Sequence, residues 1–193
     1  MNDFVQAFFG TRPRYLKFGS PFFVASTTVA ETQVPAIPFP GVPGGIQYQV
    51  QFEVPRIDLH PDTFGFVLPP LADQFALETR VKLTVGCIKR IERGQDKLPR
   101  AEPITTELGL CARGTLDRGV NDFGFVLEDV EIKDITPDSL ESVIECILRM
   151  MLQAALVNLR IPYRAVSIRI GNIVPASGPS IKDDQVQLTA NFV

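Results

Sequence analysis

Strict alternation of apolar and polar residues in the segment IQYQVQFEV, residues 46–54, restricts the fold of this chain more than any other feature. Its apolar side chains, Phe52 among them, point to one side of an extended chain, and its polar side chains point to the other. This pattern is typical of a strand in an antiparallel sheet with one face in water. Six further segments are predicted as strands: 21–30, 75–85, 104–116, 123–135, 165–174 and 184–193. Leu83, in the second of these, is predicted to face inward like Phe52.

The segment DSLESVIECILRMMLQAALVNL, residues 138–159, is the one long helical pattern in the chain. Asp138 can cap its first turn, with Glu141 three residues later completing a capping box. Alternatively, Thr136 caps the helix and Pro137 is its first residue. The sequence therefore predicts a helix of about 21 residues, which at ~1.5 Å per residue is ~32 Å long.

Apolar residues fill an unusually wide part of this helix. They cover an arc of about 200°, whereas a helix resting on a flat sheet needs a stripe of only about 100°. Polar residues such as Glu145 take the remaining third, where Glu145→Lys is expected to be tolerated. A strand of nine or ten residues, at ~3.3 Å each, is about as long as the helix. We therefore expect a sheet that curls around the helix and covers it on more than one side.

Composition and charge exclude several classes of function. The 193 residues suffice for one buried core, and residues 1–193 are predicted to form a single domain. The net charge of −3 is not concentrated in blocks, which argues against binding to nucleic acid. No run approaches the ~18 apolar residues of a membrane span. The first residues lack the pattern of a signal peptide, so we predict a cytoplasmic protein without a transmembrane segment.

The three cysteines are predicted to be free thiols. Cys87, Cys111 and Cys146 are an odd number at wide spacings, without a CxxC pair. This arrangement argues against a disulfide framework and against a zinc site. The alternation also places Cys87 and Cys111 on opposite faces of their strands.

Residues that carry chemistry are scarce. His60 is the only histidine, it precedes Pro61 in a predicted turn, and the chain has no GxSxG motif and no phosphate-binding loop. Asp58, Asp62 and the pair at 183–184 could bind a hard cation, but the segment IKDDQ that contains the pair is interpreted more simply as a polar turn before a strand. We predict a protein that is not an enzyme, with no catalytic residues, no metal and no cofactor.

The segment VPAIPFPGVPGG, residues 34–45, carries four prolines. Proline lacks the backbone donor that a central strand requires. The segment is therefore predicted to be a loop or a polyproline II segment at an edge of the sheet. It is also one of two places, with a free sheet edge, where another protein could dock.

Methionine is flexible and adapts to varied shapes, so the apolar helix face suits acyl chains as well as a plain core. Core packing is the alternative at each single position. A hydrophobic cavity between helix and sheet is predicted to be lined by nine residues: Phe52, Leu83, Val143, Ile144, Ile147, Met150, Met151, Ala154 and Ala155.

The order of elements from residue 120 onward resembles the tubular lipid-binding (TULIP) superfamily, which includes the bactericidal/permeability-increasing protein. The similar parts are the strand and helix in VLEDVEIKDITPDSLESVIECILRMMLQAALVNLRIP and the closing strands in SIRIGNIVPASGPSIKDDQVQLTANF. The resemblance implies a long curved sheet around a long helix, enclosing a tube that holds lipid. The long N-terminal helix of that family is not expected here, because MNDFVQAFF is predicted to supply one short helical turn at most.

The sequence thus predicts an α+β fold: an antiparallel sheet of six or seven long strands, curled around one long C-terminal helix. The predicted function is non-enzymatic binding of a hydrophobic, lipid-like ligand. The second hypothesis is a structural or assembly subunit, either a homo-oligomer or a chain that docks on a protein partner. An enzyme with scattered carboxylates is the third.

Overall fold

The computed structural model describes residues 1–24, 33–59, 71–87, 89–92, 95–97, 103–132, 138–163, 173–182 and 185–192. These residues form two α-helices and a strongly curled antiparallel sheet that resembles half a barrel, which confirms the predicted α+β class. The helices are α1 (Asn2–Thr11), α2 (Asp138–Leu156) and the short 3-10 helix η1 (Pro13–Leu16). The strands are β1 (Lys17–Gly19), β2 (Ile37–Phe39), β3 (Val42–Phe52), β4 (Arg56–Asp58), β5 (Gln74–Cys87), β6 (Lys89–Glu92), β7 (Gln95–Lys97), β8 (Ile104–Arg118), β9 (Asp122–Ile132), β10 (Ile161–Pro162), β11 (Ile173–Lys182) and β12 (Gln185–Phe192).

The main sheet has eight strands, and its path runs β1, β3, β5, β8, β9, β10. Strand β2 pairs with β3 and β4 pairs with β5, and all of these pairings are antiparallel. The hairpins β6–β7 and β11–β12 form two separate small sheets. The amide of Ile181 in β11 donates to Asp73 Oδ1 (3.1 Å), which connects the second hairpin to the start of β5. The long alternating segments thus build a continuous sheet.

A β-bulge bends the sheet where β8 meets β9. Arg113 pairs with Asp129 but Gly114 pairs with Leu127, so β9 has one extra residue at this point. A Cβ atom on Gly114 would collide with the backbone carbonyl of Val126, and therefore only glycine fits. Bulges increase the local bend and twist of a strand pair. The bulge therefore contributes to the curl of the sheet.

Helix α2 lies between the two sides of the curled sheet. It contacts β9 along one flank and η1, which itself contacts β1 and β3, on the other. Its side chains Leu148, Leu152 and Leu156 turn toward the core and are fully buried. The helix therefore fills the gap that the half-barrel leaves, and its leucines join a single hydrophobic cluster with the sheet.

The polar flank of α2 bonds to the backbone of β9 beyond the two residues that pair with β10, where β9 forms the edge of the sheet. The side chain of Gln153 accepts a hydrogen bond from the amide of Leu127 (2.7 Å) and donates one to the carbonyl of Phe125 (3.1 Å). Two more bonds follow along the strand: Arg149 Nη2 to Leu127 O (3.2 Å), and Ile132 N to Glu145 Oε1 (3.1 Å). These bonds satisfy backbone groups that an edge strand otherwise leaves open. Glu145 is thus a partner of the sheet rather than a residue that only water contacts.

A charged cluster holds the segment after α2 against the start of β9. Arg160 forms ion pairs with Asp122 (2.8 Å) and Asp117 (2.7 Å). The hydrogen bonds to Asp117 and Asp122 raise the pKa of Arg160 above its usual value. Burial of the guanidinium lowers this pKa and offsets part of the increase. A Cβ atom on Gly124 would meet the Arg160 guanidinium, so the glycine leaves room for this arginine. The cluster fixes the position of the C-terminal end of the helix on the sheet.

Two predictions about helices are corrected. The chain has a second helix, because α1 spans ten residues instead of one short turn. Its apolar residues Val5 and Phe9, four positions apart, are buried together, and the Asn2 side chain bonds to the backbone of Ile57 in β4. The long helix is not a single C-terminal one: it spans 19 residues, ends at Leu156, and is followed by three strands.

Other differences concern short strands. The proline-rich segment 34–45 contains β2 and the start of β3, paired as a hairpin whose turn includes Gly41 with φ of 78°. Pro38 is tolerated because β2 is an edge strand, where a missing donor costs little. The predicted strand 21–30 begins as a turn, and residues 25–32 lie outside the described part, as do most of 165–174. Strands β1, β4, β6, β7 and β10 were not predicted, since two to four residues are too few to show a period.

Within the described ranges, none of the helices combines the length and the apolar character that crossing a bilayer requires.

Candidate functional site: the open end of the curled sheet

Inward-facing side chains form cross-strand rows over β3, β5 and β8. Directly paired residues of neighbouring strands lie on the same face of a sheet. The pairings define three rows, each read from β3 through β5 to β8: Phe52–Val81–Leu108, Val50–Leu83–Thr106 and Tyr48–Val85–Ile104. We call these nine residues the open end, because burial decreases across them.

Exposure rises along each row from β3 to β8. In the outermost row Tyr48 is buried, Val85 is half-buried and Ile104 is 75% exposed. In the innermost row Phe52 and Val81 are buried while Leu108 is half-buried. An apolar face that is sealed at β3 therefore becomes accessible at the start of β8.

The opposite face of the same strands is polar. Between the rows, outward positions pair Gln49 with Thr84 and Thr84 with Thr105, and the two threonine hydroxyls lie 3.1 Å apart. Lys82 and Glu107 form the next outward pair. Exposed apolar surface at this end therefore belongs to the inner face of the curl, where a ligand would be enclosed.

The N-terminal half of α2 lies at the same end. The bond between Glu145 and the amide of Ile132 places this part of the helix beside the last residue of β9. Ile132 pairs with Leu110, which follows the open-end residues of β8 on the same inner face. The helix residues Ile144 and Ile147 are half-buried and pack against the core. Both are less completely covered than Leu148 and Leu152, which follow them along the helix.

Tyr48 has the largest side chain of the outermost row. Its backbone amide donates a hydrogen bond to the hydroxyl oxygen of Ser20 (3.0 Å), and its carbonyl accepts one from the amide of Ser20 (2.9 Å). Burial raises the pKa of its phenol above the usual value of 10.0, because the phenolate would lose hydration. The side chain is therefore a neutral phenol at physiological pH.

The structure divides the predicted cavity residues into three groups. Phe52, Leu83, Met151 and Ala155 are buried on the inner side of sheet or helix, and Ile144 and Ile147 are half-buried in the N-terminal half of α2. Three others lie on the outer face of α2, away from the sheet, and are exposed: Val143, Met150 and Ala154.

The wide apolar arc of the helix therefore consists of two faces. One packs on the core, and the other turns outward with Val143, Met150 and Val157 each more than half exposed. The polar residues that bond to β9 lie between the two along one side. We call the second one the outer face of α2.

Sequence reasoning placed Tyr48, Val85, Ile104 and Leu108 on inward faces but did not single them out as a site. Their alternation was the available signal. It shows which way a side chain points, whereas the register decides which three side chains share a row and which end of the sheet is left accessible.

The remaining candidates from the sequence do not define a site within the described residues. His60, Asp62 and the pair at 183–184 lie outside the described residues. Among the residues that the structure describes, no three His, Cys, Asp or Glu side chains come together as metal ligands. Cys87, Cys111 and Cys146, all within the described part of the chain, form no disulfide, and the register keeps Cys87 and Cys111 on opposite faces.

Comparison with known proteins found no matching family model, no similar curated protein and no similar solved structure. The resemblance to the tubular lipid-binding superfamily therefore stays a prediction.

Proposed function

We propose that this protein binds a hydrophobic, lipid-like ligand at the open end without changing it chemically. The observation that carries the proposal is the row Tyr48–Val85–Ile104, an inward-facing apolar row with Ile104 left 75% exposed. Large apolar side chains on the concave side of a sheet are ordinarily covered, because each fully buried one contributes about 1.5–3 kcal/mol. A ligand at this end would cover these residues.

The proposed affinity comes from apolar burial. Each methylene group that leaves water contributes about 0.8 kcal/mol. An acyl segment of about six methylenes would therefore gain roughly 5 kcal/mol before the entropic cost of binding is subtracted. The half-buried Ile144 and Ile147 of α2 and Leu108 of β8 supply the other walls. Binding of moderate affinity and broad chain preference is the expected behaviour.

The proposal also covers the domain organisation, the family and the location of the protein. Residues 1–193 would form one TULIP-like domain, with the sheet wrapped on α2. The order of β9, α2 and the closing β11–β12 hairpin supports this. A cytoplasmic location is part of the proposal, and the exposed thiols of Cys87 and Cys146 are suited to a reducing compartment.

A matched pair of variants tests the proposed site. Ile104→Glu places a charge on the inner face, and Thr105→Glu places the same charge on the outer face, one residue further along β8. Both positions are exposed, so both variants should fold like the wild type. We expect saturable binding of a fluorescent fatty acid to the wild type and to Thr105→Glu, and a loss of at least tenfold in affinity for Ile104→Glu.

Extraction of the purified protein with organic solvent, followed by mass spectrometry, provides a second readout. Co-purifying lipid supports the proposal. A wild type that neither carries lipid nor binds the fluorescent probe saturably would refute it.

Assembly is the second candidate function, and the outer face of α2 favours it. Val143, Met150 and Val157 follow one another at seven-residue intervals, so they lie almost in line along the helix. Such a stripe is typical of helices that pair with another helix. If the chain forms homo-oligomers, sedimentation should show a concentration-dependent mass that Met150→Glu reduces to that of the monomer. A wild type that stays monomeric at high concentration argues against self-assembly.

A further inference from the structure

The hydroxyl of Tyr48 has an unusual position for a polar group. The residue is only 7% exposed, and its row partners are the apolar Val85 and Ile104. A phenol in such a place normally finds a hydrogen-bond partner, because an unpaired buried polar group costs free energy. In the described part of the protein no side chain or backbone group bonds to this hydroxyl, and burial alone accounts for its raised pKa.

The hydroxyl is nevertheless accessible. No fully buried side-chain oxygen or nitrogen lacks a partner among the described residues. Since the Tyr48 hydroxyl has none, it must retain contact with solvent at the open end. A donor that is almost enclosed in apolar surroundings and still reachable from outside is suited to bond to a ligand.

The other polar groups nearby differ from Tyr48. Tyr163 lies near the start of β9, and its hydroxyl donates a hydrogen bond to the carbonyl of Gly119 (3.1 Å). That hydroxyl therefore has no hydrogen left to donate to a ligand. Thr106, the other polar residue of the three rows, is exposed, so water can satisfy its hydroxyl. Tyr48 is therefore the polar residue of these rows that is largely enclosed by apolar neighbours, with only a small part of it in contact with solvent.

The charge of the surroundings restricts the ligand. The nine residues of the three rows include no charged side chain, and the nearest described charges on these strands, Lys82 and Glu107, point outward. On α2, the charged Glu145 and Arg149 beside Ile144 and Ile147 are bonded to the backbone of β9. A bare carboxylate or phosphate would lose its hydration here without gaining a counter-ion. An ester, amide or alcohol oxygen would lose much less and would accept a hydrogen bond from the phenol.

We infer that the open end selects an uncharged lipid with an ester or alcohol group. That group accepts a hydrogen bond from the Tyr48 hydroxyl. The hydrocarbon chain lies along apolar residues of the sheet and the helix: Val85, Ile104, Leu108, Ile144 and Ile147. This inference rests on the proposed function. Tyr48 is a specificity-determining residue in it, and the apolar residues supply chain affinity irrespective of the polar group.

Displacement of a fluorescent fatty alcohol by three competitors of equal chain length tests the inference: hexadecane, methyl palmitate and palmitate. For the wild type we expect methyl palmitate to bind about five- to tenfold more tightly than hexadecane, which corresponds to about one net hydrogen bond. Palmitate is expected to bind more weakly than its methyl ester.

Two tyrosine variants provide the matched comparison. Tyr48→Phe should bind hexadecane like the wild type but lose the preference for methyl palmitate, and its thermal stability should be preserved because no internal hydrogen bond is removed. Tyr163→Phe removes a hydroxyl of the same kind elsewhere and should keep the preference.

The outcomes separate the inference from the proposed function. If the wild type binds no competitor and no fluorescent alcohol saturably, the proposed function fails and the inference fails with it. If the wild type binds hexadecane and methyl palmitate equally, or if Tyr48→Phe keeps the preference, the apolar site stands and the role of Tyr48 is overturned. Stronger binding of palmitate than of its ester would overturn the selection of an uncharged lipid.

Discussion

The two ends of the curled sheet are built from the same strands but differ in what covers them. At the closed end, Phe75 and Leu77 of β5 are fully buried, and the rings of Phe75 and Phe125 meet edge to face with centroids 5.2 Å apart. At the open end, Val85 on the same face of the same strand is half-buried, and its neighbour Ile104 is exposed. Apolar and polar residues alternate along β5 at both ends alike, so the alternation does not determine how deeply an inward-facing side chain is buried.

The difference arises from the elements that lie across the sheet. The C-terminal half of α2 covers the closed end. Leu152 and Leu156 of the helix are fully buried there, and so is Leu159, three residues after the helix ends. Toward its N-terminus the helix contributes the half-buried Ile144 and Ile147 instead. The inner face of the sheet is therefore fully buried at one end and partly accessible at the other.

The largest expected effect comes from a charge on the sealed side of the helix. Met151 is 6% exposed and Met150, the next residue on the outer face, is 62% exposed. Met151→Asp should unfold the protein, because an unpaired buried charge costs several kcal/mol out of a total stability of about 5–15 kcal/mol. Met150→Asp should change the free energy of unfolding by less than about 0.5 kcal/mol. Urea denaturation of both variants measures this, and similar losses would show that the two helix faces are not distinct.

The next effect compares the two ends along one strand. Phe75→Ala should lower the free energy of unfolding by about 3–5 kcal/mol, the usual cost of truncating a fully buried phenylalanine. Val85→Ala, on the same face of β5 at the open end, should cost less than about 1 kcal/mol because its side chain is only half-buried. Calorimetry of the two variants gives the comparison. A larger loss for Val85→Ala would mean that the open end is packed as tightly as the closed one.

A moderate effect is expected where α2 covers the edge of β9. Gln153→Ala removes the partner of the Leu127 amide and of the Phe125 carbonyl, and should cost about 1–3 kcal/mol. Ala154→Gln introduces the same side chain one residue away on the exposed outer face and serves as the control, with little expected change. Hydrogen exchange of the Leu127 amide should accelerate in the first variant only. Unchanged exchange would contradict the role of Gln153 in protecting the edge.

The smallest effect on stability is expected at the open end itself. Ile104→Ala should change the free energy of unfolding by no more than about 0.5 kcal/mol, because the side chain is largely in water. The same change should weaken binding of a fluorescent fatty acid severalfold, since it removes apolar surface that a ligand would cover. Loss of stability without loss of binding would reverse the assignment of this residue.

Local sequence signals found the regular elements of this fold and missed the irregular ones. The period of two located β5, β8, β9 and most of β3, because strands of this length repeat the pattern several times. Helix α1 was missed although Val5 and Phe9 have helical spacing, since ten residues with a glycine near the end make a weak signal. The β2–β3 hairpin was obscured by its prolines, which an edge position tolerates.

The sequence predicts which residues of the candidate site point inward, but not how exposed they are or what they contact. The sequence alone indicates apolar inward positions on β3, β5 and β8 and a helix with a wide apolar arc. It does not indicate the exposure of Ile104, the hydroxyl of Tyr48 without a partner, or the division of the helix into two apolar faces. Each depends on register and on contacts between residues far apart in the chain.

The amino-acid sequence by itself determined where side chains point: the alternating faces of the long strands, the helix after residue 138, the opposite faces of Cys87 and Cys111, and a chain poor in catalytic groups. Side-chain direction follows from the backbone period of one element, so neighbouring residues are enough to encode it. Only the tertiary structure decided what each face meets. The polar flank of α2 meets the edge of β9, one apolar face of α2 meets the core while the other is left outward, and the inner face of β8 is uncovered at Ile104. Cover depends on which distant elements lie across a face, and the period of a single segment carries no information about them.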